Sequence, residues 1–214
     1  MGRPLNLVIM LAILAGGFAF VGTLLTAPGQ FSVGAYGNEV RVAAIEGNWT
    51  RVGRVSRRAI RRAPGLQDAL LFWGWSEDKL EHPRGAEMVW TRLRDSARRS
   101  IAEGNRNSDQ WYYLGWGLHG LGDEPGAQRA WDELIARMRG VGRYNATCYL
   151  TLAGEHERAL EIWERLAESG EQVDTRWAEV DPDLEAIRAQ PRFVAGLESI
   201  RARQRAAAES RTRI

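Results

Sequence analysis

Cysteine and lysine are almost missing from this chain of 214 residues. A lone cysteine, Cys148, excludes an intramolecular disulfide framework and any metal site built on paired thiolates. Lys79 is the only lysine, so arginine carries the basic charge, and the formal net charge is only +2. A balance so near neutrality argues against nucleic acid as a partner, because a polyelectrolyte selects a strongly basic surface. Histidine is scarce as well: His82, His119 and His156 are the only three. The pair His156-Glu157 begins like a zinc-protease motif, but Leu160 stands where the second histidine ligand is needed. The stretch from Gly115 through Gly117 to Gly120 spells a dinucleotide fingerprint, yet that fingerprint needs a strand before it and a helix opening at it. Here it falls at the end of a helical stretch. The carboxylates between Glu155 and Glu185 are spread along helix faces and read as solvated. The expectation is a protein that is not an enzyme and uses no cofactor or metal.

What the chain does have begins with an uncharged run from Leu5 to Leu25. As a helix it would be about 31 Å long, enough to cross a bilayer's hydrocarbon core. It is longer than the apolar region of a cleaved secretory signal, and the candidate cleavage point after Ala27 carries Leu25 where a small residue is wanted. An uncleaved transmembrane anchor is therefore expected at residues 5–26, after a short segment 1–4. Ala12 and Gly16, with Ala15, Ala19 and Thr23, put small residues on one side of that helix, where another membrane helix can approach closely. Arg3 precedes the span, and Arg41 is the only basic residue soon after it. The positive-inside bias then leaves the soluble domain outside the cytoplasm. That means the periplasmic side of a bacterial inner membrane, the cytoplasmic side being the alternative.

Beyond a linker at 27–37, one pattern recurs: a small residue, Trp four later, Leu three after that. It occurs as Ala86-Trp90-Leu93, Ala127-Trp131-Leu134 and Ala159-Trp163-Leu166, at steps of 41 and 32 residues. Val52, Ser56 and Ala59 form a weaker copy 34 residues before the first. Helical spacing inside units of this length signals an array of helix pairs, and an array buries apolar faces by stacking its neighbours. Trp90, Trp131 and Trp163 of the chain's nine tryptophans fall on this pattern, and most of the tryptophan content is read as packing. Each unit reads as helix, turn, helix, with breaks at Gly47-Asn48, Glu81-His82-Pro83, Gly120 to Asp123, and Gly154-Glu155.

These residues resemble the tetratricopeptide repeat family across about 38–170. Trp111, Leu114, Gly115, Leu118, Ala127, Trp131 and Leu134 match its motif well. Trp73, Gly74, Ala86, Trp90 and Leu93 match in part, as do Ala146, Leu150, Ala159, Trp163 and Leu166. In the first copy Ala43, Ala59 and Pro64 fit, while Val52 and Ser56 depart from it. The resemblance implies an all-α solenoid of about four helix-turn-helix repeats at 38–173. Capping helices are then expected at 174–208, with a last helix from about Arg192 to Ala208, and a basic tail at 209–214. Seven extra residues, Ile101 to Asn107, are expected as a loop between the second and third units.

In such arrays the first helices of successive pairs line a concave groove, which is the expected partner-binding surface. Here that face carries Leu71 and Trp75, then Tyr112, Trp116 and His119, then Tyr144 and Cys148. The residues that clamp a peptide's terminal carboxylate in one tetratricopeptide subclass are absent from these places. A second candidate surface is the basic run Arg51, Arg54, Arg57, Arg58, Arg61 and Arg62, which could rest on anionic lipid headgroups. The reading is a membrane-anchored interaction or scaffold subunit that binds other proteins and helps to assemble a larger membrane complex. A periplasmic chaperone-like or maturation factor, holding clients in the aromatic groove, is the alternative.

Overall fold

A computed structural model describes residues 32–212, and every regular element among them is helical. Eight helices form four pairs: α1 (Val33–Ile45) with α2 (Trp49–Arg62), α3 (Gln67–Lys79) with α4 (Pro83–Ala102), α5 (Asp109–His119) with α6 (Glu124–Arg137), and α7 (Arg143–Leu152) with α8 (His156–Ser169). The one-turn helix α9 (Thr175–Ala178), a 3-10 turn at Pro182–Leu184 and the long α10 (Pro191–Thr212) follow. Each pair packs on the next, α2 on α3, α4 on α5 and α6 on α7, and α10 closes the end against α8.

The turn inside each pair is the same device used four times. Gly47, Gly122 and Gly154 adopt left-handed backbone, with φ of 67°, 77° and 76°. At each, the glycine and the next residue donate backwards into the end of the helix just finished, for example Gly122 N to His119 O and Asp123 N to Leu118 O. That arrangement satisfies carbonyls a helix end leaves without partners. In the second unit Glu81 holds the position at φ 56°, a conformation that costs a residue with a Cβ about 1–2 kcal/mol. The following helices start on caps: Asn48 accepts from Arg51 N and Asp123 from Gly126 N, while Pro83 stands first in α4, where its missing N–H removes no bond.

The small and large residues of the repeat are halves of one contact. A Cβ on Gly74 would lie 2.4–2.6 Å from three ring atoms of Trp90, and one on Gly120 would lie 2.4–2.5 Å from three others. Trp90 thus fills the space between its own pair and the next, and its indole N–H reaches Asp78 Oδ2 at 3.0 Å. Trp131 covers Gly115 in the same way. Gly117, the middle glycine of the apparent dinucleotide motif, lies against the α4 backbone at Arg94. All three glycines of that motif are packing points. Trp163 covers Gly196 of α10, stacks on Phe193 at 4.5 Å and donates to the Phe193 carbonyl at 2.9 Å. The capping helix therefore docks with the contact that the units use on one another.

Two boundaries differ from the sequence reading. Of the extra residues between the second and third units, Ile101 and Ala102 lengthen α4, which runs 20 residues to Ala102, and Ile101 packs against the core. The other five fall in the connection Glu103 to Ser108, as expected. The last helix begins at Pro191, since a proline suits a first turn. The expected anchor at 5–26 and its small-residue face lie outside the described residues. No described helix is long and apolar enough to cross a membrane.

Candidate ligand cavity

The chain does not leave its concave side open. After α8 it turns back across the first helices, and α9 packs on α1. Trp177 sits beside Phe72 at 5.8 Å, with the Arg41 guanidinium 5.7 Å over its ring. Between this returning strap and the first helices of the units lies a cavity of about 1110 Å³. Its walls are aromatic and acidic together. Phe72 and Trp75 come from α3, Tyr112 and Tyr113 from α5, Tyr144 and Tyr149 from α7, and Trp177 from the strap. Asp68 and Asp109 stand at the starts of α3 and α5, while Asp174, Asp181 and Asp183 come from the strap. Helix α3 can present residues on all sides because it is enclosed. Leu70, Trp73, Gly74 and Trp75 are all buried along its 13 residues.

The strap is fixed by two buried aspartates. Asp183 accepts from the Tyr112 hydroxyl at 3.0 and 3.2 Å and from the Trp116 indole at 3.0 Å. Asp181 accepts from the Tyr144 hydroxyl at 2.7 Å and caps its own turn through the Asp183 amide at 3.1 Å. The Cys148 sulfur lies 3.9 Å from the same Asp181 oxygen. Burial pushes both carboxyl pKa values up. For Asp183 the neighbouring Asp181 charge adds to that push, whereas hydrogen bonds and the Arg188 charge hold Asp181 lower. Two carboxylates this close disfavour joint ionisation, which adds to the upward push on Asp183. Burial also raises the Cys148 thiol well above its ordinary value, which keeps it in its unreactive form.

Cys148, Asp181 and Asp183 place one ligand atom each within 4.8 Å of one another. Their oxygens are already taken up by tyrosine, tryptophan and amide donors, so the trio reads as a clasp for the strap. Asp68 accepts from the Tyr113 hydroxyl at 2.7 Å, and Asp109 from the Tyr149 hydroxyl at 3.3 Å. Burial raises the Asp68 pKa, with Tyr113 and Arg41 acting against the rise.

Five of the seven groove residues read from sequence, Leu71, Trp75, Tyr112, Tyr144 and Cys148, line this cavity. Trp116 does not. It packs among Trp75, Trp90 and Trp131 at 5.2–6.3 Å and spends its N–H on Asp183. His119 faces outward at the end of α5, bonded to Glu124 at 3.0 Å. The sequence reading missed the acidic half of the cavity. A signal was present: Asp109, Tyr112 and Tyr113 follow Asp68, Leu71 and Phe72 by the same 41 residues that separate Ala86 from Ala127. Of the basic run, Arg58 pairs with Glu39 at 2.6 Å, Arg51 lies near Glu39 and Glu46, and Arg57 joins the buried Glu77 at 3.1 Å. Arg51, Arg57 and Arg58 of that patch are thus drawn into contacts with Glu39, Glu46 and Glu77.

No family model and no curated protein matches the chain. Among solved structures it is similar to one described as the crystal structure of MamA, at 15% sequence identity and a TM-score of 0.32, covering 84% of this chain and 99% of that one. The reading of the fold rests on the helix pairs described above.

Proposed function

We propose that this protein is an interaction scaffold that works by binding other proteins rather than by catalysis. The observation that carries the reading is the cavity of about 1110 Å³ on the concave side of the helix pairs, walled by aromatic side chains from three units and a strap. Concave, largely preformed sites with aromatic walls and a few placed polar groups are where proteins receive ligands and peptide anchors. On this reading residues 5–26 anchor the chain in a bacterial inner membrane and the helical domain lies on the periplasmic side. The scaffold then belongs to a larger membrane complex, and the basic run of α2 adds attraction to anionic headgroups. The test is a tagged purification from native membranes in mild detergent with quantitative mass spectrometry. One or a few proteins at fixed ratio support a scaffold subunit. Many proteins at low, variable ratio support a client-binding factor, and no partner at fixed ratio overturns the scaffold reading.

A further inference from the structure

Among the described residues the outer side of the first helix pair carries no further helix, whereas α10 covers the last pair. We infer that this open end of the array, built by α1 and α2, seats on an anionic bilayer surface, so that the row of pairs stands away from the membrane. The inference rests on the reading of residues 5–26 as an anchor.

The charge on this end has one sign. Residues 33–62 hold seven arginines against two glutamates. On α2, Arg51, Arg54, Arg58, Arg61 and Arg62 recur at helical spacing and share one stripe about 100° wide. The two glutamates, Glu39 and Glu46, belong to α1 and are answered from that stripe. Arg58 meets Glu39 at 2.6 Å, and Arg51 lies 3.8 Å from Glu39 and 3.6 Å from Glu46. The stripe therefore borders the outer side of α1, and Arg54, Arg61 and Arg62 on it are exposed.

Between its charges the same end is apolar. Opposite the buried Tyr36, Val40, Ala43 and Ala44 of α1 run Ala35, Asn38 and Val42, all exposed, with Ile45 half-buried at the edge. Val33 and Val42, 51% and 44% exposed, are two of the four exposed large apolar side chains among the described residues. A terminal unit that met only water would carry a polar outer face there. Apolar side chains beside arginines suit the headgroup region. Valine enters the acyl boundary, and arginine stems lie along it with their charge among the phosphates.

Chain length and charge choose the bilayer over a protein. Residues 27–32 join the expected anchor to α1, and a segment of that length reaches at most about 20 Å. The first pair is thus the part of the domain held at the headgroups, with Val33 at its near end. A second copy offering the same end would set arginine against arginine, which repels.

The experiment follows a solvent-sensitive dye on the full-length protein reconstituted in vesicles. Val42→Cys supplies the attachment point, and the buried Cys148 stays unlabelled. Ala206→Cys, on the exposed end of α10, is the control. The vesicles are phosphatidylcholine alone, or phosphatidylcholine with about one quarter phosphatidylglycerol. In the anionic vesicles the dye at position 42 is expected to shift to the blue and to be quenched by nitroxide-labelled lipid, and the dye at position 206 is not. Raising the salt to about 1 M, where the screening length falls to about 3 Å, is expected to remove both signals. An arginine near such a surface is worth about fivefold in binding. Combined Arg54→Gln and Arg61→Gln is therefore expected to lower the ratio of docked to undocked domain by about tenfold or more. Both side chains are exposed, so the melting transition is expected to stay in place. No lipid quenching at position 42, equal quenching in neutral vesicles, equal quenching at position 206, or no loss in the arginine variant would each overturn the inference. A blue shift without lipid quenching that grows with the copies per vesicle assigns the face to a second copy and overturns it too. Release of the protein by an alkaline wash refutes the anchor instead. The same quenching is then read with anionic vesicles added from outside, where its presence sustains the docking surface and its absence overturns it.

Discussion

Replacing Gly74 by alanine isolates the contact on which the repeat depends. An alanine inside a helix normally gains about 1 kcal/mol over glycine. At Gly74 the new methyl would sit 2.4–2.6 Å from three ring atoms of Trp90, where a normal carbon contact needs about 3.5 Å or more. Trp90 is 0% exposed, so it has no free space to retreat into, and its far side lies on Gly120. Overpacking of a closed core costs about 1–3 kcal/mol, and a ring held at both ends belongs at the upper end. Set against the propensity gain, the net loss is about 2 kcal/mol. For a domain of this size that corresponds to a fall in melting temperature of about 4–8 °C. The assay is thermal and urea unfolding of the full-length protein followed by circular dichroism. Gly37→Ala is the control, because nothing lies within 4 Å of a Cβ placed there in α1, and it is expected to raise stability by up to about 1 kcal/mol. Adding Trp90→Phe to the Gly74→Ala variant is expected to cost less than Trp90→Phe alone, with a coupling of at least about 0.5 kcal/mol. If Gly74→Ala stabilises the protein as Gly37→Ala does, the pairing of glycine with tryptophan is wrong.

The remaining predictions concern single contacts. Glu81→Gly is expected to raise stability by about 1 kcal/mol in urea unfolding, since it relieves a side chain held at φ 56°. The raised pKa of buried Asp183 contributes stability in full below the ordinary aspartate value near 4, and that stability is lost as pH rises through the raised value. The wild type is therefore expected to lose stability as pH rises above the ordinary aspartate range, and Asp183→Asn, which keeps an acceptor for Trp116, to flatten that slope in urea midpoints. Phe193→Ala is expected to cost about 3–5 kcal/mol by removing the ring stacked on Trp163, measured by the same unfolding. Arg58→Ala, at an exposed pair with Glu39, is expected to cost less than about 1 kcal/mol.

The helix pairs were readable because their contacts are local in kind. A small residue facing a tryptophan, with a glycine at three of the four turns, leaves the same trace every thirty to forty residues. The fourth unit and the weak first one followed from that rhythm even where Ser56 replaces the tryptophan. In the structure Ser56 is buried and lies 3.5 Å from the Tyr36 hydroxyl, so a tyrosine from α1 reaches the place of the missing ring. The cavity was half legible. Leu71, Trp75, Tyr112, Tyr144 and Cys148 share helix faces, which spacing reveals. The strap was taken for a simple end cap because its partners are far away in sequence. Tyr112 and Asp183 are separated by 71 residues and Phe72 and Trp177 by 105, and no periodicity encodes such pairings. Trp116 was misplaced for a related reason. It follows Tyr112 by four residues, yet an indole N–H meeting Asp183 turns its ring into the core.

The meeting of α9 with α1 changes what kind of object the array is. A row of units that touch only their neighbours is a strip, free to peel from either end and to lose its outer units one at a time. Here the strip is buckled: Trp177, near the last unit, rests on Phe72 of the second and under Arg41 of the first. Loosening the first pair unfastens the last, and loosening the last exposes the walls of the middle. A long-range tie of that kind slows folding, because distant parts of the chain must meet before it closes. It also leaves no cheap partly unfolded state in which one end is open while the rest stands. Any partner that reaches the centre of the molecule must come through the opening the buckle leaves, or else undo the whole.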